Sequence, residues 1–124
     1  MATNVIIDVE GTAFKAEIND SPGGQEFLNL LPLTIRLSRW GDEYYGDCGA
    51  SVEEDSSARE VMEVGEIALW PPGNALCLFF GPTPVSTDNR PRAASPVVPI
   101  GSVIENPKGL AAFGGSVKVT VRTG

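Results

Sequence analysis

Val117-Lys118-Val119-Thr120-Val121-Arg122 is the stretch that decides the fold. Three valines alternate with three polar side chains. That is the period of a β-strand with one buried and one solvated face, because successive strand side chains point to opposite sides. Working outward, the same pattern recurs where Leu33, Ile35 and Leu37 alternate with Thr34, Arg36 and Ser38. It recurs again where Phe14, Ala16 and Ile18 alternate with Lys15 and Glu17. This last run reads as the second arm of a hairpin whose first arm is Val5-Ile6-Ile7-Asp8-Val9, with Gly11 at the turn. Further strands are predicted over residues 66–69, 75–80 and 97–104, the first two separated by Trp70-Pro71-Pro72-Gly73-Asn74.

One helix interrupts this series. In Asp20-Ser21-Pro22 a capping side chain precedes a proline, whose missing N–H costs nothing in a first helical turn. Phe27, Leu28, Leu30 and Leu31 supply its apolar face and Pro32 stops it. The pair Gly23-Gly24 weakens it, so the helix is expected to be short and held by packing. Residues 46–60 are polar, with Glu53-Glu54-Asp55 at their centre. They read as a loop or strand edge carrying a solvated charge run rather than a metal site. Residues 82–96 hold four prolines and are expected to make a long surface excursion.

Seven or eight short strands and one helix leave a barrel or a sandwich, and a closed barrel deals best with exposed strand edges. The expectation is therefore a mainly β chain, a closed eight-stranded barrel with one short helix near the N-terminus, as one domain over residues 1–124. The composition agrees: 42% apolar and 20% charged residues are ordinary for a globular domain.

Charge and residue usage narrow the chemistry. A formal net charge of −7 argues against a nucleic-acid backbone or an anionic membrane as partner. The chain has no histidine, which excludes Ser–His–Asp and Cys–His catalysis and imidazole-ligated zinc. Cys48 and Cys77 are too few for a disulfide scaffold or a thiolate metal cage, and Cys77 sits in an apolar run as a small hydrophobe would. No cofactor is expected. Met1-Ala2-Thr3-Asn4 opens without a basic segment and apolar stretch, and no run reaches the roughly 18 apolar residues of a membrane span, so the expected location is cytoplasmic.

Three stretches carry a resemblance: Arg39-Trp40-Gly41-Asp42-Glu43-Tyr44-Tyr45, the run from Gly65-Glu66-Ile67-Ala68-Leu69-Trp70-Pro71-Pro72-Gly73-Asn74 through Ala75-Leu76-Cys77-Leu78-Phe79-Phe80-Gly81, and Ala94-Ser95-Pro96-Val97-Val98-Pro99-Ile100-Gly101. In this order the chain resembles the atypical cyclophilin-like family, small bacterial and archaeal proteins of the Thermotoga type. The resemblance implies an eight-stranded barrel related to the peptidyl-prolyl isomerases. It implies no activity, since that family has no established biochemical role, and related barrels serve in oxoprolinase subunits and a kinase inhibitor.

By comparison with the isomerases, Phe79 falls on a groove phenylalanine, Asn74 on an asparagine of the preceding turn, and Cys77 on a glutamine whose hydrogen bonds a thiol does not reproduce. If Leu76, Leu78 and Phe80 face the core, then Ala75, Cys77 and Phe79 face an outer groove, beside which Tyr45, Trp40 and Trp70 supply aromatic rings. Trp40 is expected rather to plug a barrel end, an alternative open to Trp70 as well, and Asn74 has that of bonding its own turn. Arg36 points away from the core, as a catalytic arginine would, and equally as any exposed strand arginine would. A binding module for a short peptide, with or without proline, or for a small molecule leads this reading, with isomerase activity weak or absent. A prolyl isomerase and a subunit of a metabolic complex are its alternatives, and a homo-oligomer through an edge strand is a further partner to consider.

Overall fold

Val117, Val119 and Val121 lie at the centre of the molecule, each essentially inaccessible to solvent, in a computed structural model that describes residues 2–124. They belong to the last strand, β9 (Ser116–Thr123), which pairs antiparallel with both β1 (Thr3–Val9) and β3 (Leu33–Trp40). Strand β1 also forms the predicted hairpin with β2 (Thr12–Ile18), in a register that sets Val5 opposite Ala16 and Ile7 opposite Phe14. Strands β4 (Glu43–Asp47), β6 (Glu66–Trp70), β7 (Ala75–Phe79) and β8 (Arg92–Val103) complete the wall. The order β2-β1-β9-β3-β4-β7-β6-β8 closes on itself through Ala16, Glu17 and Ile18 of β2 against Val103, Ser102 and Gly101 of β8. Eight strands thus form a hydrogen-bonded ring. A ninth, β5 (Arg59–Val61), hangs outside it on β8.

The interior is filled by the apolar side of each alternating strand, including Ile7, Ile18, Leu37, Ile67, Leu76 and Leu78. The single α-helix among the described residues, α1 (Pro22–Leu28), is as short as its glycines imply. Ser21 caps it, the hydroxyl oxygen accepting from the Gly24 N–H at 3.1 Å, and Phe27 anchors it in the core. Gly23 brings it close to β8: a Cβ there would stand 3.2 Å from an Ile100 methyl.

One boundary differs clearly from that read in the sequence. Strand β8 begins at Arg92, five residues before the predicted start at 97, so the excursion ends earlier than proline content suggests. Its first half needs fewer backbone donors, because it carries only the short β5 pairing on its outer side. Farther on, the register against β6 shifts between Ile67–Gly101 and Ala68–Pro99. A proline is tolerated at such a bulge, where the ladder is already interrupted, and the Ile100 carbonyl there accepts the Asn19 N–H at 2.7 Å. The remaining excursion is tied to itself, with Ser86 Oγ donating to the Arg90 carbonyl at 2.8 Å. The acidic residues Glu53, Glu54 and Asp55 are exposed. Among the described residues the cis peptide bond lies at Leu31–Pro32. Among the described residues no helix is long and apolar enough to cross a membrane.

Candidate functional site

Alternation along β7 sends Leu76 and Leu78 into the barrel, and Cys77 and Phe79 to its outer surface. Antiparallel pairing then gathers neighbours on that surface. Tyr45 stands opposite Cys77 and Glu43 opposite Phe79 on β4, and Ala68 stands opposite Cys77 on β6. This outer face is not left to water. The start of β8 and the segment following β5 fold over it and close a second hydrophobic cluster of Met62, Ala68, Cys77, Phe79, Ala93 and Val97, with Trp70 packed against it.

A cavity of about 170 Å³ remains at the margin of this outer cluster. Trp40, Tyr45 and Trp70 line it, with Cys77 and Glu43 between them and small apolar residues of β8 opposite. Its aromatic walls are placed by local structure. A tight turn through Gly41, whose φ is +60°, carries the chain from β3 into β4 and sets Trp40 and Glu43 on the same side. The Trp70 indole is fixed by its Nε1–H, which donates to Ser95 Oγ at 2.7 Å.

Glu43 is the unusual member. It is only 4% exposed, and its Oε1 is buried with no hydrogen-bond partner. Burial disfavours the charged form and pushes its carboxyl up to about 7, an effect that the hydrogen bond with the Cys77 thiol only partly offsets. The thiol is in turn held well above its ordinary value, first by burial and then by the Glu43 charge, so it is not an activated nucleophile.

Of the residues singled out in the sequence, Tyr45, Trp70 and Cys77 come together around this cavity, and Trp40 joins them. Phe79 faces the same side but is wholly buried beneath the covering strands, outside the lining. Asn74 is exposed and in the left-handed conformation (φ 47°). Its N–H donates to the Pro71 carbonyl at 3.2 Å and its own carbonyl accepts the Cys48 N–H at 2.9 Å, so its backbone closes the turn. Arg36 lies on the exposed side of β3, donating to Ser116 Oγ across the β3–β9 pair at 3.2 Å, away from the cavity lining.

Two residues were not singled out by sequence reasoning. Glu43 looks like any surface acid until the covering segment is known. The available signal was its spacing of two from Tyr45, which places both on one strand face. The other is Arg39, whose guanidinium bonds the carbonyls of Gly41, Ala111 and Phe113 and the Asp42 carboxylate, all within 3.1 Å. It stands 5.0 Å from the Phe80 ring centroid and 6.0 Å from that of Tyr44. Tyr44 and Phe80 belong to the inner core, whereas Trp40, expected as a plug, lines the outer cavity with Trp70.

The family model for cyclophilin-like proteins matches residues 3–122. Among solved structures, the chain is similar to the hypothetical protein AF2241 from Archaeoglobus fulgidus, whose solution structure superposes with a TM-score of 0.82 at 32% identity. That likeness covers 99% of this chain and 95% of the archaeal one. No curated protein matches the chain.

Proposed function

The chain belongs to the cyclophilin-like family, and from that premise we propose that it is a binding module which takes one small ring or apolar side chain, such as the proline of a short peptide, into the outer cavity. The observation that carries this reading is the cavity itself, lined by three aromatic side chains and by Glu43, one of whose carboxyl oxygens no protein group satisfies. Its volume sets the scale of the ligand. An apolar cavity of about 150 Å³ holds a benzene molecule, whereas sites for larger ligands run from roughly 300 Å³ upward. One ring or side chain enters, and the rest of a peptide lies over the exposed edge of Tyr45. Flat aromatic walls suit a proline ring.

Prolyl isomerisation asks for more than such a pocket. An amide with a rotation barrier of about 18–20 kcal/mol must be twisted and held by donors beside the ring. Arg36 is committed to Ser116, and Cys77 offers only a weak donor. The module is therefore expected to bind without efficient turnover.

Titration of the chain with short Xaa-Pro peptides tests both statements. Amide and indole resonances of Tyr45, Trp70 and Cys77 are expected to shift, and Trp70→Ala to weaken binding about tenfold, the worth of one aromatic wall. A protease-coupled assay is expected to show no acceleration of peptide isomerisation. Resonances that stay still at saturating peptide would remove the peptide reading.

A further inference from the structure

The cavity has a polarity that the proposed function leaves unused. Its lining contains one acidic side chain and no basic one. That residue, Glu43, keeps Oε1 buried and unpartnered, although leaving a buried polar atom unsatisfied is costly and rare in folded proteins. The charged hydrogen-bond donors nearby are already spent. Arg39 is tied into the barrel end, Arg59 pairs with Glu66 at 2.6 Å, and Arg92 pairs with Glu60 at 2.8 Å. Trp40, Tyr45 and Trp70 add ring faces and edges, and aromatic groups around a carboxylate form the surroundings in which organic cations are held. The net charge of −7 draws cations toward the surface as a whole.

We propose that the cavity is a site for a small organic cation, a protonated amine on a compact hydrocarbon frame of about six heavy atoms, whose N–H donates to the Glu43 carboxylate as that side chain turns to present Oε1 to the cavity, while its carbons pack on Trp40, Tyr45 and Trp70. This rests on the reading of the cavity as a binding site and names its ligand class. A pyrrolidinium ring meets the description, either free or as the amino-terminal proline of a peptide. The ligand supplies the partner that the folded chain lacks. In its absence Glu43 relieves the same deficit by taking up a proton near neutral pH.

Cation and proton therefore compete for one carboxyl group. Below about pH 7 the proton must leave before the amine binds, and affinity falls about tenfold per pH unit. The titratable groups sharing the cavity with Glu43 are Tyr45 on its own strand and Cys77 on β7, whose thiol burial keeps protonated through this range. Strand β8 contributes only Ala93, Ala94 and Val97 to the lining, β6 contributes Trp70 and β3 Trp40. Farther along the same outer surface, Arg36 of β3 is bonded to Ser116 and Glu66 of β6 is paired with Arg59.

Intrinsic fluorescence reads the site directly, since the two tryptophans of the chain, Trp40 and Trp70, both line the cavity. Pyrrolidinium chloride and its neutral isostere tetrahydrofuran are titrated into the wild-type chain and into Glu43→Gln, at several pH values between about 5.5 and 8.5. The expected result at the alkaline end is pyrrolidinium binding at least about tenfold tighter than tetrahydrofuran. That preference is expected to shrink as pH falls through 7 and to vanish in Glu43→Gln. The pH series on the wild-type chain stands as a test even if the variant folds poorly. Equal affinity for the two rings, or a preference indifferent to pH, overturns the cation site while leaving the binding reading intact. No response to either ring also overturns it, and the separate Xaa-Pro titration then decides whether the cavity binds anything.

Discussion

Glu43 makes stability depend on pH in an unusual direction for a carboxyl group. Its folded value lies at about 7, above the ordinary 4.5, so between these limits the folded chain holds a proton that the unfolded chain has released. Stability from this group is complete below pH 4.5 and is lost as pH rises through 7, a total of about 3 kcal/mol. Glu43→Gln abolishes the change, so denaturant titrations are expected to show the variant gaining about 3 kcal/mol on the wild type between pH 4.5 and about pH 8.5. A constant difference across that range would show Glu43 to be ionised and satisfied in the fold. The residue was hidden in the sequence for a physical reason. Periodicity tells which side of a strand a side chain occupies, and it correctly separates Cys77 and Phe79 from Leu76 and Leu78. It does not tell what covers the far side. The cover over the outer face beside Glu43 comes from β8 and the segment after β5, remote in sequence and themselves irregular.

At the scale of elements, the strands with strict alternation were legible whole, and β8, with its bulge and prolines, only from residue 97 onward. Strands β1, β2, β3 and β9 each bury one face against the same core and so keep a clean period of two. Strand β8 serves three partners, β2, β6 and β5, and is covered on both sides over part of its length, which blurs its pattern. The closing seam depends on Gly101, opposite Ile18 of β2. A Cβ at this position would run into the Glu17 carbonyl, backbone against backbone, with no flexible side chain to yield. Gly101→Ala is therefore expected to cost about 2–3 kcal/mol in chemical denaturation. Gly114→Ala, which has nothing within 4 Å of the added carbon, is expected to cost no more than about 0.5 kcal/mol. Equal effects from the two would mean that the seam is open in solution.

For the molecule as a whole, β9 joins what the chain makes first to what it makes last. It lies between β1 and β3 and places three valines in the core. Removal of residues 116–124 breaks the ring and bares both neighbours, so the shortened chain is expected to lose its cooperative thermal transition and its near-ultraviolet dichroism. Persistence of a sharp transition would mean that the remaining strands hold a core without closure. Ring closure also bears on how copies of this chain can meet. Amyloid growth and runaway strand exchange recruit from a long, flat, unpaired border. Here the strand that ends the pairing order, β5, is three residues long and begins with Arg59, whose guanidinium is already paired with Glu66. Such a border offers a newcomer very few rungs, so crowding in a concentrated solution would bring side-chain faces together sooner than it would seed a fibre.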